Sequence, residues 1–278
     1  MTDGTTGTGG GSDGLRLAVT GATGQMGEAV LDAATDRSEL STVLAVNRDP
    51  AVEAVGDVPI EAAADLSDLL AERRPEVLVD FSGPDSAVGY ADACAESATA
   101  FVSGTTGFDE AQSERLRAAS DPIPVLHATN FSRGVEALGA AVEGVVGALP
   151  GYDVELTETH HNRKRDAPSG TAGTLLDRIE TARENGDGNA DASNGEADRR
   201  TYGREGIQPR EAGEIGVHIR RAGDVRGEHE VLLAGSDEVL SFTHRAESRR
   251  VFAAGALDAA VWLAGREPGI YDFAEVLR

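Results

Sequence analysis

The chain is poor in thiols, in lysine and in long apolar runs. Its single cysteine, Cys94, excludes a disulfide framework and any cysteine-built metal cage. No apolar stretch reaches the ~18 residues that a membrane-spanning helix requires. The opening residues, MTDGTTGTGGGSDG, have neither a basic flank nor an apolar segment, so no secretory signal is expected there. Positive charge is also short: 25 basic residues face 48 acidic ones, a formal net charge of −23. Such a chain repels polyanions, which excludes nucleic acid and anionic membrane as partners. These deficits describe a soluble, globular, cytoplasmic protein.

Lysine occurs once, at Lys164, beside 24 arginines. Acidity spread along the chain, with apolar periodic segments between the acids, argues against a disordered acidic tail. It suits a surface built for high salt, where ions screen self-repulsion, and so a halophilic source. The melting temperature is therefore expected to rise with ionic strength, since the Debye length shrinks from about 30 Å at 0.01 M to about 3 Å at 1 M salt. Thermal scans across that range check it; a flat response would contradict the high-salt reading.

The 278 residues correspond to roughly two domains at about 150 residues each. Residues 1–14, rich in Gly, Thr and Ser, read as a disordered tail. Then comes a buried strand, Leu15–Thr20, a glycine turn and a helix over Gln25–Ala34. Strand-like runs follow at Thr42–Val46, Val77–Phe81, Ala100–Ser103 and Pro124–His127. Helix-like stretches lie between them at Leu66–Glu72, Asp85–Ser97 and Asp109–Ala119. This alternation predicts an α/β fold with a parallel sheet of βαβ units. After Asn130 the texture changes to a helix over Val135–Ala148 and strands at Val154–Thr159, Ile215–Arg221, Glu230–Ala234 and Val239–Thr243. A second α+β domain with an open, mixed or antiparallel sheet is expected, then a helix from about Ser248. Residues 182–200 hold no apolar side chain larger than alanine and read as a disordered insertion.

The segment LAVTGATGQMG puts Gly21, Gly24 and Gly27 between a strand and a helix. Glycines there let the backbone approach a pyrophosphate, and the helix N-terminus offers free N–H groups to it. An ordinary glycine turn would look the same. The next strand ends in LAVNRDP, where a carboxylate would hold the ribose 2′-hydroxyl of NAD. Asn47 stands there instead, and Arg48 can pair with a 2′-phosphate. A plain surface turn would also fit.

The densest chemistry is ETHHNRKRDAPSGTAGTLL, residues 158–176, with His160, His161 and the one lysine. Histidine is the general acid/base near neutral pH. Lysine can give up a proton where arginine effectively cannot, so one lysine in an arginine-using chain marks a site where arginine would fail. Ser169 is a natural N-cap, and Gly170 and Thr171 would open the following helix, where backbone N–H groups can hold a carboxylate. A basic loop paired with nearby acids is the plainer alternative. Of the other histidines, His127 ends a strand, and His218, His229 and His244 read as structural or surface residues. No metal is expected, because the histidines lack i, i+4 spacing and a carboxylate partner. Cys94 reads as a buried packing residue.

Taken in order, VTGATGQMG, DFS at 80–82, GTTGF at 104–108, ATNFS at 128–132, ETHHNRKRDAPSGTA at 158–172, RAGDVRGEH at 221–229 and THRAESRRVFAAGA make the chain similar to the 4-hydroxy-tetrahydrodipicolinate reductase (dihydrodipicolinate reductase) family of bacterial-type lysine biosynthesis. The resemblance spans about Leu15 to Arg278. It implies a Rossmann-type dinucleotide-binding domain, 15–130, completed by 247–278. It also implies a substrate-binding and oligomerisation domain, 131–246, and a homotetramer. The implied cofactor contacts are Gly21, Ala22, Thr23, Gly24, Gln25, Met26, Asn47, Arg48, Gly104, Thr105, Thr106, Ala128, Thr129, Asn130 and Phe131. His160 and Lys164 are the implied proton-transfer residues, and His161, Ser169, Gly170 and Thr171 the substrate contacts. The implied substrate is a small dicarboxylate, (2S,4S)-4-hydroxy-2,3,4,5-tetrahydrodipicolinate, which loses water and takes a hydride at C4 to give tetrahydrodipicolinate on the route through diaminopimelate. The family often has an acid where Asn47 stands, so NADPH is preferred and NADH possible; a frequent basic residue after DFS is Gly83 here. An aldehyde dehydrogenase working through an acyl-enzyme would need a reactive cysteine, and a nucleotide-sensing regulator would lack the His-Lys-Ser-Gly-Thr cassette.

Overall fold

The structure, a computed structural model, describes residues 14–49, 52–186 and 200–278. The expected tail, 1–13, and residues 187–199 of the expected insertion lie outside the described residues. Gly14, counted with the tail, lies against the backbone of Glu39. Contacts divide the chain into two units: one runs to Ala128 and takes up Ala256–Val276, the other is Thr129–Gly255.

In the first unit, β1 (Leu15–Thr20), β2 (Leu40–Asn47), a small hairpin of β3 (Ala54–Val55) and β4 (Val58–Pro59), and β5 (Glu61–Ala62) alternate with α1 (Gln25–Thr35) and α2 (Leu66–Arg73). Next come β6 (Val77–Asp80), α3 (Pro84–Ser97), β7 (Ala100–Ser103), α4 (Glu110–Ala119) and β8 (Pro124–His127). Seven strands form one sheet in the order β14-β8-β7-β6-β1-β2-β5, where β14 is Gly269–Tyr271. Every neighbouring pair is parallel. The central strands are buried along their length, as a sheet covered on both faces demands: Val77–Asp80 and Ala100–Ser103 have no exposed residue. Leu78 and Phe101 of the sheet pack with Ala91 and Cys94 of α3 and Leu116 of α4. Cys94 is a buried packing residue, and burial pushes its thiol pKa well up. The strand order reverses between β1 and β6, the crevice where doubly wound sheets bind ligands. β14, at three residues, is too short to show a period, and the sequence pattern does not reveal it.

The second unit holds α5 (Arg133–Ala148), β9 (Asp153–His160), α6 (Gly170–Gly186), β10 (Arg200–Tyr202), β11 (Ile215–Arg221), β12 (Glu228–Ala234) and β13 (Val239–Arg245). The sheet runs β10-β11-β9-β12-β13; β10, β11 and β9 are parallel, and β12 is antiparallel to both β9 and β13. One face buries Val154, Leu156, Val217, Val231 and Leu233 against Leu138 and Val142 of α5 and Leu175, Leu176 and Ile179 of α6. The chain then enters α7 (Arg250–Leu263) and, after β14, closes with α8 (Phe273–Val276).

The expected insertion is too wide at both ends. α6 continues to Gly186 and buries Ala182; Arg183 donates to the Gly213 carbonyl at 2.8 Å. Arg200 opens β10 and pairs with Asp177 and Glu180 of α6 at 2.7 and 2.6 Å. Composition misses this because it counts large apolar groups, whereas a helix seam also uses alanine and charge pairing. Replacing 187–199 by a short Gly/Ser linker is expected to leave stability nearly unchanged, since loop length costs little. Replacing 182–200 is expected to cost about 1–3 kcal/mol. Urea unfolding of the two variants at equal salt checks the difference; equal stability would show that the α6–β10 contacts contribute nothing.

Candidate active site

The C-terminal edge of the parallel sheet gathers most of the expected cofactor residues. Gly21 has φ +69°, and a Cβ there would run into the Phe81 carbonyl; a Cβ at Gly27 would overlap the Gly21 carbonyl. Only glycine fits this turn, which folds back tightly enough to bring α1 up under it. Gly24 N-caps α1 with no side-chain hydrogen bond, so first-turn N–H groups remain for an anion. Ala22 is buried and offers backbone alone, while Gly24 and Gln25 are exposed. At the end of β2, Asn47 donates to the Asp49 carbonyl at 3.0 Å, and exposed Arg48 reaches Ser86 Oγ of α3 at 3.2 Å.

A buried carboxylate underlies the next loops. Asp80, at the end of β6, accepts from Thr20 Oγ1 at 2.7 Å, Ser103 Oγ at 3.0 Å and Thr105 Oγ1 at 2.7 Å. It ties together the ends of β1, β6 and β7. The loop Gly104–Thr106 leaves this clamp with Gly104 on the Phe81 ring, Thr105 buried and Thr106 exposed. His127 Nε2 lies 2.9 Å from the Thr105 carbonyl, its ring edge-on to Phe108. Asp80 is a site residue whose role the DFS motif does not disclose, because its three partners lie on other strands and loops. Ala128 ends the first unit; Thr129, Asn130 and Phe131 belong to the second, where Asn130 donates to Thr171 Oγ1 at 2.8 Å and Phe131 is buried.

The second unit assembles the cassette. His160 ends β9, Lys164 follows in the loop, and Ser169 leads into α6 after a cis Ala167–Pro168 bond. Ser169 Oγ accepts from Ala172 N–H at 3.2 Å, the cap expected of it. Gly170 and Thr171 lie in the first turn, where N–H groups lack helical partners. Gly170 is exposed, with open space where a side chain would stand.

Beneath the cassette lies Glu158, wholly buried. Its Oε1 accepts from Arg221 Nη2 at 2.9 Å and its Oε2 from the Ser169 N–H at 3.1 Å. Burial alone would raise this carboxyl; the Ser169 and Arg221 hydrogen bonds outweigh it and hold the pKa below the usual carboxylate value. Strand register creates the cluster: Arg221 pairs with His160 across β11–β9, and His229 with Glu158 across β12–β9. Of the two readings, structural or surface, burial therefore excludes the surface for His229. Its ring is edge-on to His160 with centroids 5.2 Å apart, and its Nε2 is 3.3 Å from Ser169 Oγ. Burial, then His160, pushes its pKa down to about 4. Burial also lowers His160, against the raising effect of Glu158. Glu158, His160 and His229 offer three ligand-type atoms within 4.8 Å of one another, so a carboxylate partner does stand beside the histidines. Both of its oxygens are already engaged by Arg221 and Ser169.

The rim is cationic in an acidic chain. Lys164 Nζ donates to Asp166 Oδ2 at 2.8 Å and Arg163 pairs with Asp224 at 2.9 Å, the acid pairing that the plainer alternative required. Arg249 is lowered by burial and by Arg226 and Arg163, three guanidinium groups close enough to repel. His161 is lowered by burial, then by Arg163 and Lys164. Such a rim suits a dianion. Glu158, Arg221, Arg226, His229 and Arg249 all lie within the motifs that carry the resemblance, yet only strand pairing and loop packing make them neighbours.

Models of Dihydrodipicolinate reductase, N-terminus, and Dihydrodipicolinate reductase, C-terminus, match residues 15–131 and 134–277. The chain is 52% identical over 262 residues to a 4-hydroxy-tetrahydrodipicolinate reductase of Haloarcula marismortui, spanning 94% of this chain and 98% of that one. It is 49% identical over 263 residues to the enzyme so named from Natronomonas pharaonis, spanning 95% and 100%. In fold it is similar to a dipicolinate-bound dihydrodipicolinate reductase from Paenisporosarcina sp., with TM-score 0.74 at 21% identity over 93% of this chain and 97% of that one.

Proposed function

The chain belongs to the dihydrodipicolinate reductase family, and from that premise we propose that it reduces 4-hydroxy-tetrahydrodipicolinate to tetrahydrodipicolinate. The observation that carries the proposal is the cassette itself: a buried carboxylate beside His160, the one lysine next to it, and an open helix N-terminus on the same loop. Gly170 and Thr171 N–H groups take one substrate carboxylate, and His161 with the cationic rim takes the other. The neighbouring carbon gives up a proton as the 4-hydroxyl leaves as water, C4 of the resulting conjugated imine accepts hydride, and the enamine so formed is reprotonated at the neighbouring carbon. His160 and Lys164 handle the protons. The glycine turn and uncapped start of α1 fit a dinucleotide pyrophosphate, with Gly104–Thr106 and Ala128–Phe131 toward the nicotinamide. When bound, that cofactor supplies the hydride. Loss of nicotinamide absorbance that depends on substrate generated by its synthase tests the assignment; no turnover would reject it.

NADPH is the preferred cofactor in this proposal. Among the described residues, exposed Arg48 donates to a neutral hydroxyl, Ser86 Oγ, which a phosphate can replace, and Asn47 carries no charge to repel one. NADPH is expected to bind about tenfold more tightly than NADH, roughly the worth of one charge-assisted pair. Fluorescence titration at matched salt checks this, and tighter NADH binding would reject it. We further propose a cytoplasmic homotetramer adapted to high salt, supported by the net charge of −23 and by the second sheet, which α5 and α6 cover on one face. Among the described residues, no helix is long and apolar enough to cross a membrane.

A further inference from the structure

We propose that Glu158 is a positioning residue: it holds His160 with Nδ1–H turned inward and Nε2 as the reacting nitrogen, and it locks that ring to the carboxylate cradle at the start of α6. The inference rests on the reductase reading above and goes beyond it, because it gives a task to a wholly buried side chain to which that reading assigns no contact with substrate or cofactor.

Four elements meet on this one carboxylate. β9 carries Glu158 and His160, β11 supplies Arg221, β12 supplies His229, and the start of α6 supplies the Ser169 N–H. Oε2, already holding Ser169, lies 3.6 Å from His160 Nδ1 and 3.8 Å from His229 Nε2. These contacts are longer than formed hydrogen bonds. Proton-transfer sites without ligand are often slack in this way and tighten in the complex. Among the described residues, buried His160 Nδ1 has no hydrogen-bond partner, and the carboxylate it faces is Glu158. On the other side of the ring, a side chain at residue 227 would place its Cβ 3.2 Å from Nε2; Gly227 leaves that nitrogen uncrowded.

The charges around His160 are Glu158 from β9, Lys164 and Asp166 from the loop, Arg221 from β11 and the neutral His229 from β12. Glu158 and Asp166 favour the imidazolium; Lys164, Arg221 and burial disfavour it. Among these, Glu158 is the strongest influence keeping the ring basic enough to carry a proton. A carboxylate present only to neutralise Arg221 would not need to face the ring.

The test begins on the unaltered full-length protein. Histidine nitrogen NMR near neutral pH, assigned with His160→Gln and His229→Asn, is expected to show His160 as the Nδ1–H tautomer. An Nε2–H tautomer overturns the proposal, whether or not the enzyme turns over. Failure of the reductase reading would show separately, as absence of turnover in the unaltered enzyme. In Glu158→Gln one acceptor becomes a donor, since the amide cannot accept from Arg221, Ser169 and His160 together. His160 is then expected to show mixed tautomers. The limb of the kcat–pH profile set by His160 moves down by about one pH unit, because a favourable negative charge is gone. kcat falls by about 10–100-fold, less than the about 10⁴-fold seen when an orienting carboxylate of a serine-protease triad is neutralised. The substrate KM stays within about threefold. A folded Glu158→Gln enzyme with unchanged tautomer and pH limb overturns the proposal. Glu158→Asp, which keeps the charge but shortens the reach, is expected to retain the pH limb while losing kcat; a displaced limb in that variant counts against it.

Discussion

Lys164→Arg is expected to fold normally and to lose turnover by about 10²–10⁴-fold, the span of general acid–base assistance. Lys164 is about one-fifth exposed and donates to Asp166 at 2.8 Å. A guanidinium can keep that ion pair and the positive rim, so substrate affinity should survive within a few-fold. It cannot release a proton near neutral pH. His160→Gln is expected to show a comparable loss, because an amide neither takes up nor gives a proton there. Steady-state kinetics for both variants check this, with circular dichroism and cofactor titration as controls. Near-normal kcat in Lys164→Arg would remove Lys164 from proton transfer and leave it as an anchor for the dianion. That outcome is the sharper one, because the geometry already gives Lys164 an acidic partner.

Asp80→Ala is expected to cost about 3 kcal/mol or more in stability and to weaken cofactor binding. The wild-type carboxylate accepts three buried hydroxyl hydrogen bonds, from Thr20, Ser103 and Thr105. Removing it strands three donors in the sheet interior, each costing about 1–3 kcal/mol if it finds no new acceptor. It also frees Thr105, whose carbonyl meets His127, and so loosens the loop expected beside the nicotinamide. Asp80→Asn should be far milder. With its oxygen at the Oδ2 position the amide still accepts from Ser103 and Thr105, and its nitrogen can donate to Thr20 Oγ1. Urea unfolding at fixed salt and NADPH titration measure both effects. Equal stability of the alanine and asparagine variants would show that the three hydroxyls re-pair by themselves.

Much of the first unit is readable because its strands are short, mostly apolar runs, wholly buried in β6 and β7, that alternate with helices. Asp109 marks the start of one helix: its side chain accepts from Gln112 N–H while Gln112 bonds back, closing a capping box one residue before α4. The short pieces are not readable. β5, β10 and β14 have two or three residues each, and pairing with a neighbour defines them rather than any period of their own. The bounds of the insertion fail for a related reason: Ala182 and Arg200 are structural through what they touch, which composition does not record.

The residue types and close spacings that carry chemistry are written in the chain. His160, His161, Lys164, Ser169, Gly170 and Thr171 lie within twelve positions, so local geometry alone keeps them together. The net charge of −23 and the glycines at 21, 24 and 27 are equally plain in the sequence. The environment that tunes these groups is settled by tertiary structure. Glu158 is in view within the same cassette, but its partners Arg221 and His229 are 63 and 71 positions away. They reach it because β11 runs parallel to β9 while β12 runs antiparallel, each in one register. A shift of one residue in either strand would turn those side chains to the opposite face. Protonation depends on distance and burial, and only the paired sheet sets both.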